Sequence, residues 1–94
     1  MKTMILDPKH AEPFLDDVYA RDPTLGEMID DSLDDLNQNS GSARFRPRLI
    51  VPDSHVDVPA CWSYVIRHGG EEVMVTWYED EGTIWVPYMG PSIF

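Results

Sequence analysis

The chain has 94 residues and a mass of 10.8 kDa, the size of one domain with one core. Its 17 acids against 7 bases give a formal net charge of -10, which excludes a general affinity for phosphate backbones, since that affinity comes from Lys and Arg. Cys61 is the single cysteine, which excludes an intramolecular disulfide and any zinc site drawing two thiolates from one chain.

Met1 to Leu6 is apolar enough for a short strand but too short for a signal-peptide core, and no apolar run approaches the ~20 residues of a membrane span. A cytosolic location in a reducing compartment is the expectation. Asp7-Pro8 ends the strand and can open a helix. Pro13 lies where a helix begun at Pro8 needs its backbone N–H, so that helix either kinks there or runs only from Pro13 to about Ala20. Phe14, Leu15, Val18 and Tyr19 form its expected buried stripe.

The second helix is the clearest element. Asp22 is its N-cap and Pro23 its first residue, and Leu25, Met28, Ile29, Leu33 and Leu36 follow at helical spacing until Asn37 to Gly41 stop it. Only Gly26 is out of character. At about 100° per residue the opposite face carries Glu27, Asp30, Asp31, Asp34 and Asp35.

A polar linker, Asn37 to Ser42, leads to Ala43 to Val51, where Arg44, Arg46 and Arg48 alternate with Phe45, Pro47 and Leu49. Pro47 restricts this stretch to an edge or irregular strand. Pro52 to Pro59 reads as a loop. The last third is a β-meander: Cys61 to His68, a Gly69-Gly70 turn, Glu71 to Tyr78, a turn at Glu79 to Gly82, and Thr83 to about Met89. Trp62, Tyr64 and Ile66 share a face, as do Val73, Val75 and Trp77, and Ile84, Val86 and Tyr88. The expected fold is α+β: a short N-terminal strand and two amphipathic helices packed on a twisted antiparallel sheet.

This order of elements, with the runs Cys61-Trp62-Ser63-Tyr64-Val65-Ile66, Glu71-Glu72-Val73-Met74-Val75-Thr76-Trp77-Tyr78 and Glu79-Asp80-Glu81-Gly82-Thr83-Ile84-Trp85-Val86, resembles the RelE/ParE toxin superfamily of toxin–antitoxin systems. The resemblance covers most of the chain in layout and residues 61–90 in pattern. It implies a toxin, either a ribosome-dependent mRNA interferase or a gyrase-binding member. The interferases of that family place Arg or Lys on the middle strands and a His or Tyr near the C-terminal end. Here Glu71 and Glu72 open the second meander strand, Arg67 is the one base after Arg48, and Gly90-Pro91-Ser92-Ile93-Phe94 supplies neither a cation nor an acid/base group. Phosphodiester cleavage needs both, so the resemblance favours a member that acts by binding.

The carboxylate face is the strongest candidate site. Glu27/Asp31, Asp30/Asp34 and Asp31/Asp35 are like-charge i,i+4 pairs, each costing roughly 0.2–0.5 kcal/mol, and Asp34 and Asp35 sit at the helix end whose dipole disfavours anions. Such a face is either a solvated surface neutralised by Arg44, Arg46 and Arg48 or a phosphate-like strip that occupies a basic groove on a partner protein. Arg44, Arg46 and Arg48 on one strand face would grip phosphate, though pairing with the acids competes. Asp53, His55 and Asp57, with His68 or His10, are candidate metal ligands, but a polar loop explains them equally. Cys61 and Ser63 lack a nucleophile motif and read as packed side chains. Trp85, with Met74, Tyr78 and Met89, is the candidate apolar patch on the outer sheet face. The expected function is therefore a small, acidic, non-enzymatic inhibitor, of the phage anti-defence or anti-CRISPR kind. It would mask a basic, nucleic-acid-binding protein surface without a cofactor, a membrane or direct contact with nucleic acid. The alternative is the RelE/ParE-type toxin.

Overall fold

A computed structural model describes residues 2–50 and 60–92 of the chain. In it, two helices cover one face of a six-stranded sheet, an α+β architecture. In chain order these are β1 (Thr3–Leu6), α1 (Ala11–Arg21), α2 (Pro23–Gln38), a 3-10 turn (Ala43–Phe45), β2 (Arg48–Ile50), β3 (Cys61–His68), β4 (Glu71–Asp80), β5 (Thr83–Val86) and β6 (Met89–Pro91). The sheet runs β1-β5-β4-β3-β2, with β6 also paired to β4. It is mixed rather than wholly antiparallel, because β1 lies parallel to β5, with Thr3 opposite Thr83.

Helix α1 starts at Ala11, between the two starts the sequence allows, Pro8 with a kink at Pro13 or Pro13 itself. Pro13 falls within its first turn, where an N–H has no intrahelical acceptor, so the ring is accommodated without a kink. The Asp7 carbonyl accepts from the N–H groups of Ala11 and Glu12, and the Asp7 carboxylate accepts from Lys9 N. Ala11, Leu15 and Val18 are buried, with Phe14 and Tyr19 packed at the border. Helix α2 opens as its sequence requires: Asp22 Oδ1 accepts from Leu25 N at 3.2 Å, and Pro23 is its first residue. Gly26 belongs there for packing. A Cβ at that position would lie 2.7 Å from the Tyr19 ring, so the glycine lets the two helices approach through that ring.

The buried stripe of α2 is Leu25, Ile29, Leu33 and Leu36, with Met28 half-buried at its margin. It meets Tyr64, Val73, Val75, Trp77, Ile84 and Val86 on the inner sheet face. Ser32 enters the same layer because its hydroxyl donates to Ile29 O and meets Tyr64 Oη at 2.9 Å. Asn37 is still helical. It accepts from Lys2 N and donates to Lys2 O, which fastens the start of β1 to the end of α2.

Two stretches depart from the expected strands. Ala43 to Val51 is not continuous β structure, since Ala43–Phe45 forms a 3-10 turn capped by Ser42 and only Arg48–Ile50 joins the sheet. Phe45 is buried edge-on against Tyr64, and its carbonyl accepts from Trp77 Nε1 at 2.8 Å. The final strand is interrupted at Pro87-Tyr88. There the Thr76 side chain supplements the backbone bond from Thr76 N to Tyr88 O: Oγ1 accepts from Tyr88 N and donates to Tyr88 O. This bulge reverses the facing of the residues beyond it. Tyr88, expected inward with Ile84 and Val86, is exposed, while Met89 enters the core at 2% exposure and so leaves the expected outer patch.

Candidate functional site

Because its apolar stripe faces the sheet, α2 turns Glu27, Asp31, Asp34 and Asp35 to solvent, with Asp30 half-buried beside them. All five carboxylates expected on this face lie on it. Two have partners within the fold. Asp30 accepts the Tyr19 hydroxyl, and that bond, burial and the charges of Asp30, Glu27 and Asp31 push the phenol up to about 12. Asp35 is met by Arg44 Nη1 at 3.0 Å in an exposed pair. Glu27, Asp31 and Asp34 have no cation beside them among the described residues.

The arginines expected to line one strand face are dispersed. Arg44 sits in the 3-10 turn over the Phe45 ring, and Arg46 donates from Nε to Ser40 O and lies over Trp62 and Trp77 at 5.4 Å from each centroid. Only Arg48 is on β2, so no three-arginine phosphate grip forms on one strand, and only Arg44 reaches the acidic helix.

On the outer sheet face Trp85 stacks on Tyr78, with ring centroids 6.3 Å apart and planes 13° apart. Ile5 is opposite Trp85 on β1, and a shallow cleft of about 250 Å³ lies beside the pair. Met74 does not contribute to an exposed patch, since it is 3% exposed. Trp85 and Tyr78 lie on the side of the sheet away from the helices. The two candidate surfaces therefore face opposite ways, and a single flat partner does not touch both.

Cys61 is buried, and burial pushes its thiol up, away from nucleophilic use. Ser63 is buried with its hydroxyl toward Arg48 O. Asp53, His55 and Asp57 lie outside the described residues, and among the described residues no three His, Cys, Asp or Glu side chains converge on a metal position. No helix among them is long and apolar enough to cross a membrane.

Two ion pairs join distant parts of the domain. Arg21 holds Glu71 with both nitrogens at 2.7 Å, and Lys2 Nζ and Ser40 Oγ each bond Glu79 Oε1 at 2.8 Å. The guanidinium holds the Glu71 carboxyl below its ordinary 4.5, and Lys2, then Ser40, do the same for Glu79. A depressed carboxylate stabilises the fold above its unfolded value and loses that contribution as pH falls through the folded one. Glu71→Gln is accordingly expected to lower Tm at about pH 7 and to lower it less at about pH 3, because the contribution of the carboxylate is lost progressively as pH falls. Calorimetry at the two pH values checks this; an equal loss at both would place the effect in packing.

A feature that the sequence does not announce lies at the other edge of the sheet. A cleft of about 500 Å³ opens beside β3 where β2 ends, bordered by Arg44, Arg48 and Arg67, by Ser63 to Ile66 on β3, and by Pro47 and Ser92. Its signal in the sequence is indirect, since it depends on the 3-10 turn at Ala43–Phe45 taking the chain away from β3 before Arg48.

A scan against protein-family models, a search of curated proteins and a search of solved structures each found no match to this chain.

Proposed function

We propose that this protein is a non-enzymatic inhibitor of the anti-defence kind that lays the carboxylate face of α2 on a basic, nucleic-acid-binding surface of another protein and masks it. One observation carries the reading: Glu27, Asp31 and Asp34 are exposed in a row without a cation among the described residues. Three of the described cations are engaged elsewhere, with Lys2 on Glu79, Arg21 on Asp17 and Glu71, and Arg67 on Glu72. Carboxylates three and four positions apart on a helix repeat at about 5–6 Å, a dense line of negative charge on a rigid element. Such a line speeds encounter with a positive groove and excludes acidic partners.

The test is capture from host lysate at low and high salt, using wild type and the triple variant Glu27→Lys, Asp31→Lys, Asp34→Lys. Asp30 and Asp35 stay, because they bond Tyr19 and Arg44. The expected result is a basic nucleic-acid-handling protein retained by wild type alone and released by salt. Equal capture by both forms would remove α2 from the contact.

A second reading, a RelE/ParE-type toxin that acts by binding, is supported by the strand, two-helix and meander order. Growth arrest on expression of the chain by itself would favour it over the inhibitor.

A further inference from the structure

We propose that the open edge of β3 at Val65 and Arg67 takes an extended acidic segment of a partner protein as an added strand, with alternate carboxylates meeting Arg48 and Arg67. The surface is distinct from α2 and stands whether or not α2 binds a partner.

The edge arises from three constraints. Strand β2 pairs only with Cys61 to Ser63. The groups that would extend the ladder belong to Arg46, opposite Val65, but its N–H bonds Ala43 O within the 3-10 turn, and the chain is drawn away by the bonds of Trp77 Nε1 to Phe45 O and of Arg46 Nε to Ser40 O. Strand β3 continues regardless to His68, with β4 alone paired to it among the described residues.

The turn decides which backbone groups are left. Gly69 and Gly70 have φ of 59° and 82°, the two-residue hairpin geometry that makes His68 and Glu71 a hydrogen-bonded pair. Alternation along an antiparallel ladder then gives Ile66 and Tyr64 to β4 and directs the N–H and C=O of Val65 and Arg67 into the cleft. Among the described residues nothing pairs with them there. An edge with donors and acceptors in alternation is matched by another strand and poorly by a phosphate chain, which has no donor for the carbonyls.

Charge selects the strand. Arg48, opposite Ser63, and Arg67, four residues along the same strand as Ser63, point to one face with Ser63 and Val65 between them. Arg44 borders the same cleft. Three of the seven basic residues of a chain with net charge -10 thus surround one opening. The contacts of Arg44 with Asp35 and of Arg67 with Glu72 are exposed single-nitrogen pairs of the kind worth about 0–1 kcal/mol, and each guanidinium retains further donors. Arginines on an edge repel basic strands and select acidic ones.

The test is a titration of the isotope-labelled full chain with a synthetic Glu-Val-Glu-Val-Glu peptide, monitored through backbone amides. A Gln-Val-Gln-Val-Gln peptide and a short oligophosphate serve as comparators. Expected are shifts and slowed hydrogen exchange at Val65 and Arg67 with the acidic peptide, weakened by salt and by about tenfold in Arg67→Gln, the order of one charge-assisted hydrogen bond. The variant removes an exposed side chain and leaves the fold intact, which its unperturbed amide spectrum would verify. Equal binding of the Gln peptide would overturn the charge selection. Binding of oligophosphate with no protection of the two amides would make the cleft an anion site instead, and no change at Val65 and Arg67 with any probe would overturn the added strand.

Discussion

Trp77→Ala is expected to cost about 3–5 kcal/mol in cavity and lost burial, the range for buried Trp truncations. Trp77 has no exposed surface, pairs across the strands with Trp62 and lies under the Arg46 guanidinium. Its indole N–H is the donor for the Phe45 carbonyl, so truncation also orphans a buried acceptor, worth about 1–3 kcal/mol more. A domain of this size is stable by about 5–15 kcal/mol in all. The variant should therefore be close to unfolded at body temperature, with a Tm lower by on the order of 20 °C. Urea denaturation of the wild type, Trp77→Phe and Trp77→Ala separates the contributions. The Phe variant keeps most of the ring and loses the donor, so it should fall between. An Ala variant within about 1 kcal/mol of wild type would contradict the central placement of this residue.

Neutralising the helix face is expected to act in the opposite direction. In the triple variant Glu27→Gln, Asp31→Asn, Asp34→Asn, the i,i+4 pairs Glu27/Asp31, Asp30/Asp34 and Asp31/Asp35 disappear, along with the i,i+3 contacts Glu27/Asp30 and Asp31/Asp34. At roughly 0.2–0.5 kcal/mol for each pair the gain is about 1–2 kcal/mol, or a Tm higher by about 5–10 °C. The bonds of Asp30 to Tyr19 and Asp35 to Arg44 survive. Thermal melts at low salt measure the gain, and added salt should shrink it because screening already weakens the repulsion in wild type. A variant that is more stable and no longer captures its partner would identify a surface held away from its stability optimum for the sake of binding. A variant with unchanged Tm would mean the carboxylates are well solvated and barely interact.

Those carboxylates were legible in the sequence because helical periodicity alone assigns Leu25, Ile29 and Leu33 to one side and Glu27, Asp31 and Asp34 to the other. The hairpins were legible for a similar reason, since Gly69-Gly70 and Glu81-Gly82 supply the left-handed backbone that two-residue turns require. Contacts between distant residues were not. The alternation of Arg44 to Arg48 imitates a strand, and what bends it is the bond between Trp77 and Phe45, thirty-two positions apart. Met89 looked outward because a strict period of two ignores the bulge that Thr76 builds at Tyr88. Gly26 looked like a helix fault because its reason is the Tyr19 ring on the neighbouring helix. The cleft beside β3 depends on where β2 stops, and Pro47 indicated an edge without indicating that the partner strand runs past it.

The parallel pairing of β1 with β5 bears on the order of events during synthesis. Thr3 is made about eighty residues before its partner Thr83. Until then the first strand has no edge to join, and its apolar side chains Met4 and Leu6 have no sheet to settle on. The two helices, whose contacts are local, can associate early. Closure of the sheet between β1 and β5 waits on Thr83 to Val86, and until they are made the helical hairpin stands beside an unpaired strand.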